Sequence, residues 1–212
     1  MPIAPGNYPI IEPNTPLGRA LVEFFDVLVP VYGSGEKGVF QAIVFGGCAV
    51  HIHTQARGSA DIDAEVASHG LAKKSDIIAL LGEDAYVFTD DAGVVQILEL
   101  DISFNTTLAP LHEDYEDRVI RLMIQSHAPN VEVYVASALD VAISKLGRFG
   151  ERDQNDIQTL LQLPYVDIEE FERLAREAIS YYVGDETRIL GNLKMMLDEY
   201  HPVMKWIADS LE

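Results

Sequence analysis

The sequence predicts an α+β protein: a mixed β-sheet with flanking helices over residues 1–136, followed by a helical C-terminal part over residues 137–212. Three observations carry this. Between about residues 40 and 136 the apolar residues fall in short runs, several of them alternating with polar residues. Beyond Ser137 the apolar residues recur at helical spacing. Hydrophobic residues make up 48% of the 212, enough to bury a core and too many for a disordered chain.

Taken in order, residues 1–16 hold five prolines (Pro2, Pro5, Pro9, Pro13 and Pro16) and predict an extended arm leading into a helix. Leu21, Phe24, Phe25 and Leu28 place that helix over about residues 17–31. Gly33 to Gly38 is a loop. Gln41 to Phe45 is a short strand halted by Gly46-Gly47, and Cys48 to about Thr54 is a short helix. Asp61-Ile-Asp-Ala-Glu-Val66 alternates as a strand does, and a helix over Ser75–Leu81 takes Ser75 as its cap. Tyr86–Phe88 and Val94–Phe104 are strands around the turn Asp90–Gly93, with further strands at Arg118–Ile124 and Val131–Val135. Ser137-Ala-Leu-Asp140 opens a helix to about residue 149, with Leu139, Ala142, Ile143 and Leu146 as its buried stripe. Asp167-Ile-Glu-Glu170 opens another, with a stripe from Ile168 through Phe171, Leu174, Ala175, Ala178 and Ile179 to Tyr182, ended by Gly184. The last helical stretch runs from about Glu186 to Leu211, with Pro202 kinking or breaking it.

Charge narrows the function. Fifteen Lys and Arg against 34 Asp and Glu give a net charge of −19. That excludes an extended surface for nucleic acid or anionic lipid, though not a local cationic pocket. Cys48 is the one cysteine, so no intramolecular disulfide forms. The N-terminus lacks a cationic and apolar leader, and no apolar run reaches the roughly 18 residues of a membrane span. A cytoplasmic protein with no membrane partner is the expectation.

The informative stretch joins Phe45-Gly46-Gly47-Cys48-Ala49 to Arg57-Gly-Ser59-Ala-Asp61-Ile-Asp63. Alternation along a strand points Asp61, Asp63 and Glu65 one way and Ile62, Ala64 and Val66 the other. The segment 98–104 repeats the design, with Glu99, Asp101 and Ser103 sharing a face. If the two strands are neighbours, Asp101 meets Asp61 and Asp63. Like charges about 4 Å apart cost about 4 kcal/mol at an effective dielectric of 20, so protons or cations must offset them. Carboxylate oxygens suit Mg²⁺ or Mn²⁺, and a pair of such ions clamps in-line displacement at phosphorus. A strand that ends in Gly-Gly and opens a helix lets backbone N–H groups approach a phosphate chain. Singly, Asp-x-Asp is an ordinary solvated strand and Gly-Gly an ordinary turn. Their order and spacing together carry the signal.

Phe45-Gly46-Gly47, then Asp61-Ile-Asp63, then Leu100-Asp101-Ile102 resembles the nucleotidyltransferase superfamily typified by DNA polymerase beta. The Gly-Gly-x-Ala and Arg-x-Ser-x-Asp-x-Asp variant is most similar to AbiEii-type toxins of abortive-infection and toxin–antitoxin systems, and is also similar to small-molecule nucleotidyltransferases. The resemblance covers roughly residues 40–163. It implies NMP transfer from an NTP to an acceptor hydroxyl, with Asp61, Asp63 and Asp101 as catalytic metal ligands and Gly46, Gly47 and Ser59 at the triphosphate. A tRNA end, a protein or a small molecule remains open as acceptor, and an antitoxin partner is an expectation of the resemblance alone.

Lys145, Arg148 and Arg152 would share one face if the helix beginning at Ser137 continued that far. AbiEii-like proteins carry a similar Lys followed by Arg/Lys-Asp-x-x-Asp, which here is Arg152-Asp-Gln-Asn-Asp156. By that resemblance Lys145 contacts nucleotide phosphates and Asp156 is a further acidic position. The plainer alternative is a solvated face with an Arg152–Asp156 pair worth about 0.3–0.5 kcal/mol. His51 and His53 suggest a metal-dependent hydrolase only weakly, because i and i+2 do not face each other on a helix. They are expected to be polar-face histidines, and Cys48 a small buried residue despite its place near a helix start. Trp206 is expected to pack, Tyr181 and Tyr182 to supply one core and one surface tyrosine, and Glu113–Asp117 to be a solvated acidic loop. A module that binds a nucleotide or a protein without turnover is the alternative on the same fold.

Overall fold

Two strands buried along their whole length set the frame: β2 (Phe40–Val44) and β8 (Val131–Val135), paired in parallel from Phe40↔Val131 to Val44↔Val135. Covered on both faces, such strands read as continuous apolar runs. Their one polar register pair satisfies itself, because the Gln41 amide donates to a Glu132 carboxylate oxygen at 2.9 Å. A buried amide left unpaired would cost several times what the bond contributes. The structure is a computed structural model that describes residues 8–32, 40–68, 73–82, 85–124 and 130–209, without the side chains of residues 74 and 199–209. The Gly33–Gly38 loop and the Trp206 side chain lie outside the described residues.

The fold is α+β with a mixed sheet. Five strands run in the order β1 (Ile10–Ile11), β7 (Ile120–Leu122), β8, β2 and β4 (Ala64–Ser68), with β1–β7 and β8–β2 parallel and the other pairs antiparallel. A second sheet of three strands has the order β3 (Asp61–Ile62), β6 (Val95–Leu100), β5 (Tyr86–Thr89). The described chain divides into two compact units: Met1–Asn105 with Asp114–Ser137, which holds both sheets, and Thr106–Glu113 with Ala138–Glu212.

The first unit carries helices α1 (Pro16–Asp26), α2 (Val29–Tyr32), α3 (Gly46–Thr54) and α4 (Lys74–Gly82). Thr15 caps α1 by accepting the Gly18 N–H at 3.1 Å, and Pro16 opens the helix where its missing N–H costs nothing. The single helix expected over residues 17–31 is two. Pro30 would clash with the Asp26 carbonyl and has no N–H to offer it, so α1 stops at Asp26. Ser75 does not cap α4; it lies inside the first turn and donates to Asp76.

The second unit is helical: α5 (Ala138–Lys145), α6 (Glu151–Leu161), α7 (Ile168–Tyr181) and α8 (Glu186–Asp209). Asp167 caps α7 by accepting from Glu169 N at 2.8 Å and Glu170 N at 3.3 Å. Pro202 does not end α8. The continuous helix that would align Lys145 with Arg152 is broken, since Phe149 takes a left-handed φ of 57° and Gly150 opens α6 afresh. Tyr181 is 48% exposed and Tyr182 half-buried, so neither is a core tyrosine.

The histidines of α3 are structural. His51 Nδ1 donates to the Arg57 carbonyl at 2.6 Å and its Nε2 lies 2.7 Å from the Thr15 hydroxyl, tying α3 to the cap of α1. His53 Nε2 donates to the Ala136 carbonyl at 2.8 Å. With these partners the pair does not form a hydrolase metal site. Burial holds the His53 pKa below its ordinary value, against the pull of the Ala136 carbonyl. A depressed histidine pKa means that the unfolded chain binds the extra proton. Stability from His53 is therefore complete above the unfolded value of about 6.5 and declines as pH falls below it. Urea unfolding should show a lower midpoint at pH 5.5 than at pH 7.5, with part of the difference absent in His53→Gln. An unchanged pH dependence in that variant contradicts the assignment.

Candidate functional site

At the end of β2 the backbone turns into α3 through a contact that only glycine permits. Phe45 N–H donates to the Asp63 carbonyl at 2.7 Å, and Gly46 follows with φ of 56°. A methyl group on Gly46 would lie 1.6 Å from Asp63 Oδ2, so that carboxylate fills the space where a side chain would be. One on Gly47 would lie 2.1 Å from Arg57 Nη2 and 2.5 Å from Ser59 Oγ. The first turn of α3 is thus in close contact with Asp63, Arg57 and Ser59 together. The Ser59 hydroxyl donates to the Asp61 carbonyl at 3.1 Å, and the Cys48 thiol reaches the same carbonyl at 3.3 Å. Burial pushes the Cys48 thiol up to about 12, and the Asp63 and Asp61 charges add to the rise while Ser59 and Arg57 oppose it. Cys48 is a buried packing residue, not a thiolate nucleophile.

The aspartates sit where two sheets part. The strand expected over residues 61–66 is interrupted at Asp63: β3 joins the small sheet and β4 the large one. Alternation survives the break, with Ile62, Ala64 and Val66 buried and Asp61, Asp63 and Glu65 exposed or half-buried. The strand expected over residues 94–104 ends at Leu100. β3 and β6 pair in parallel as Asp61↔Glu99 and Ile62↔Leu100, and Asp101 N–H then donates to the Ile62 carbonyl at 3.0 Å. β3 ends at Ile62, so Asp63 and Asp101 are the residues that follow the last pair on the two neighbouring strands.

Asp101 does not continue the strand face with Ser103. It caps a turn, its Oδ1 accepting from Ser103 N at 2.8 Å and from the Ser103 hydroxyl. Asp61, Asp63 and Asp101 offer only carboxylate oxygens, the donor chemistry of a hard divalent cation. Their backbones are neighbours, but among the described residues no three His, Cys, Asp or Glu side chains are gathered closely enough to hold an ion. The donor types fit a divalent metal; a closed ligand cluster is not preformed.

Lys145 lies in the second unit, and its side chain is 7% exposed. Its ammonium is 2.8 Å from Asp156 Oδ2 and 3.5 Å from Asp153 Oδ1. Arg148 grips Asp153 with two bonds of 2.7 Å, and Gly150 N–H adds a third at 3.1 Å. Burial pushes the Asp153 carboxyl up, but Arg148, Lys145 and the Gly150 N–H outweigh it and hold it below its ordinary value. The Lys-to-Asp-x-x-Asp spacing therefore buries Lys145 against Asp156 and Asp153, with the exposed Arg148 closing on Asp153 from outside, in place of an Arg152–Asp156 surface pair.

Tyr115 has a place that the sequence did not suggest. Inside the segment expected to be a solvated acidic loop, its hydroxyl donates to Glu65, and burial with that carboxylate raises its pKa strongly. Its ring packs on that of Phe45 with centroids 5.8 Å apart, and Phe104 packs on the Phe45 ring at 5.6 Å. An isolated aromatic within an acidic run was the one available signal.

The profile of a family described as "Nucleotidyltransferase of unknown function (DUF6036)" matches residues 34–205. No curated protein matches the chain. The match spans both glycines, the three aspartates and Lys145. It supports the superfamily resemblance, and nothing in it supports a special closeness to AbiEii-type toxins.

Three substitutions test this geometry. Gly46→Ala should cost more than about 2 kcal/mol, combining left-handed strain of roughly 1–2 kcal/mol with displacement of Asp63. Gly93→Ala has the same backbone strain in open space and should cost only the strain. Equal losses in urea unfolding contradict the close approach. Lys145→Met removes the ammonium that lies against the buried Asp156 carboxylate and should cost about 3–5 kcal/mol. A loss below about 1 kcal/mol would place Lys145 outside the structural core.

Proposed function

The chain belongs to this family of nucleotidyltransferases, and from that premise we propose that it moves an NMP from an NTP to an acceptor hydroxyl. The observation that carries the reading is the pairing of β3 with β6, after which Asp63 and Asp101 leave the ends of neighbouring strands while the Asp63 carboxylate rests on Gly46. In this reading Gly46, Gly47 and Ser59 receive the triphosphate, and Asp61, Asp63 and Asp101 are the carboxylates for Mg²⁺ or Mn²⁺. The bound ion supplies charge neutralisation at the phosphates and the leaving pyrophosphate. Asp101 takes the acceptor's proton once its carboxylate is released from Ser103. The acceptor oxygen bonds to the α-phosphorus as the bond to pyrophosphate breaks, in line. Lys145 joins the phosphate-binding set only by exchanging Asp156 for phosphate, so its first role in this reading is to hold the second unit together. A toxin of a toxin–antitoxin pair, acting in the cytoplasm on tRNA, protein or a small molecule, is the biological setting proposed for this activity.

A second reading has its own support. Asp101 is committed to Ser103 and the carboxylates are not gathered, which suits a catalytically silent module that binds a nucleotide or a protein. Mn²⁺-dependent labelling with α-labelled NTPs separates the two. Wild-type protein should transfer label to an acceptor, and Asp63→Asn and Asp61→Asn should each lower the rate by at least a hundredfold with unfolding midpoints nearly unchanged. Retained metal-dependent transfer in both variants contradicts the reading, and nucleotide binding without transfer to any acceptor favours the silent module.

A further inference from the structure

The three-stranded sheet has one covered face and one open face. On the covered side Leu98 is fully buried, the Tyr86 hydroxyl reaches Glu23, and α1 and α4 pack on β5 and β6. Strand alternation puts Val87 and Thr89 of β5, and Val95, Ile97 and Glu99 of β6, on the other side. Val87 opposes Ile97 and Thr89 opposes Val95, so these side chains touch or nearly touch across the strands. Val87 is 59% exposed, Val95 66% and Ile97 49%. Single exposed valines are ordinary on a protein surface; a contiguous group on one hairpin face marks an interaction site.

The patch is continuous with the candidate site. Glu99 carries the same face about 7 Å further along β6 from Ile97. Its register partner on the neighbouring strand, about 4.8 Å across, is Asp61. Charge then selects the occupant. Residues 85–105 contain Asp90, Asp91, Glu99 and Asp101 with no Lys or Arg, and residues 60–68 contain Asp61, Asp63 and Glu65 with none. On a chain of net charge −19, this face repels a nucleic-acid backbone and a second copy of the chain alike. A ligand that is apolar and cationic complements it.

We propose that the open face of β5 and β6 binds the acceptor as a basic, apolar polypeptide segment. The segment lies across Val87, Val95 and Ile97, meets Glu99 with a cation, and presents a side-chain hydroxyl toward Asp61. The fate of that hydroxyl rests on the transferase reading: its oxygen bonds to the α-phosphorus, pyrophosphate leaves, and its proton passes to the Asp101 carboxylate. The face itself does not depend on that chemistry.

Arrays of 12-residue peptides test it, one set of Lys, Arg, Val and Ile around a single Ser or Tyr, and a matched set with Asp and Glu in place of the cations. The full chain should bind the basic set at least tenfold better, and Ile97→Lys and Val87→Lys should each abolish that preference at an unchanged thermal midpoint. Val183→Lys, at a 92% exposed position in the second unit, should leave it intact. No preference for basic peptides, or a preference that survives both substitutions, overturns the proposal. So does competition by oligoadenylate, or a wild-type dimer that Ile97→Lys converts to monomer. The binding arm needs no nucleotide, so a protein that transfers no NMP to any acceptor removes the transferase reading while the array still judges the face. A protein that labels small molecules but none of the bound peptides removes the acceptor role.

Discussion

The Asp63 carboxylate occupies the space that a side chain at Gly46 would take, and much of the first unit is arranged around that contact. It needs a residue without a Cβ in a left-handed conformation at the start of α3. It needs the strand after Ser59 to deliver Asp63 at the end of β2, which the Phe45 N–H secures by bonding to the Asp63 carbonyl. It also sets the point at which one sheet gives way to the other, since β3 and β4 diverge on either side of Asp63. An acidic side chain is thereby pressed against the first turn of a helix, where N–H groups and the positive end of the helix dipole favour negative charge.

The same geometry explains why the carboxylates are neighbours without being a cluster. Parallel pairing of β3 with β6 is short, two residues and the Asp101 N–H bond beyond them. It fixes the backbones. Each side chain then takes the partner within reach: Asp63 rests on Gly46, and Asp101 turns to Ser103. Bringing the three together costs like-charge repulsion that a divalent cation would offset.

Much of the first unit was legible because its signals are local. A buried β2, a Gly-Gly turn and the alternation from Asp61 to Val66 each follow from side-chain size and polarity along one segment. The break at Asp63 was not legible, because alternation continues through it and only the pairing partners change. The end of β6 at Leu100 was hidden for a related reason: Asp101 and Ser103 keep the strand's polarity pattern while forming a turn. Around Lys145 the sequence showed the right residues and the wrong partners. Helical periodicity carried the cations onto one face, whereas Phe149 and Gly150 break the helix, Lys145 is buried against Asp156, and Arg148 reaches Asp153 from the surface. Tyr115 depends on a contact with Glu65 fifty residues away, which no local pattern encodes.

The central claim is that Asp61, Asp63 and Asp101 form one ion-binding centre beside the Gly46–Gly47 turn. Anomalous diffraction at the manganese edge, from crystals holding Mn²⁺ and a non-hydrolysable NTP, tests it most directly. The expected result is a peak bounded by carboxylate oxygens of Asp63 and Asp101, with the triphosphate against the first turn of α3. Manganese elsewhere on the acidic surface, with Asp101 still turned to Ser103 and the nucleotide away from Gly46, would contradict it.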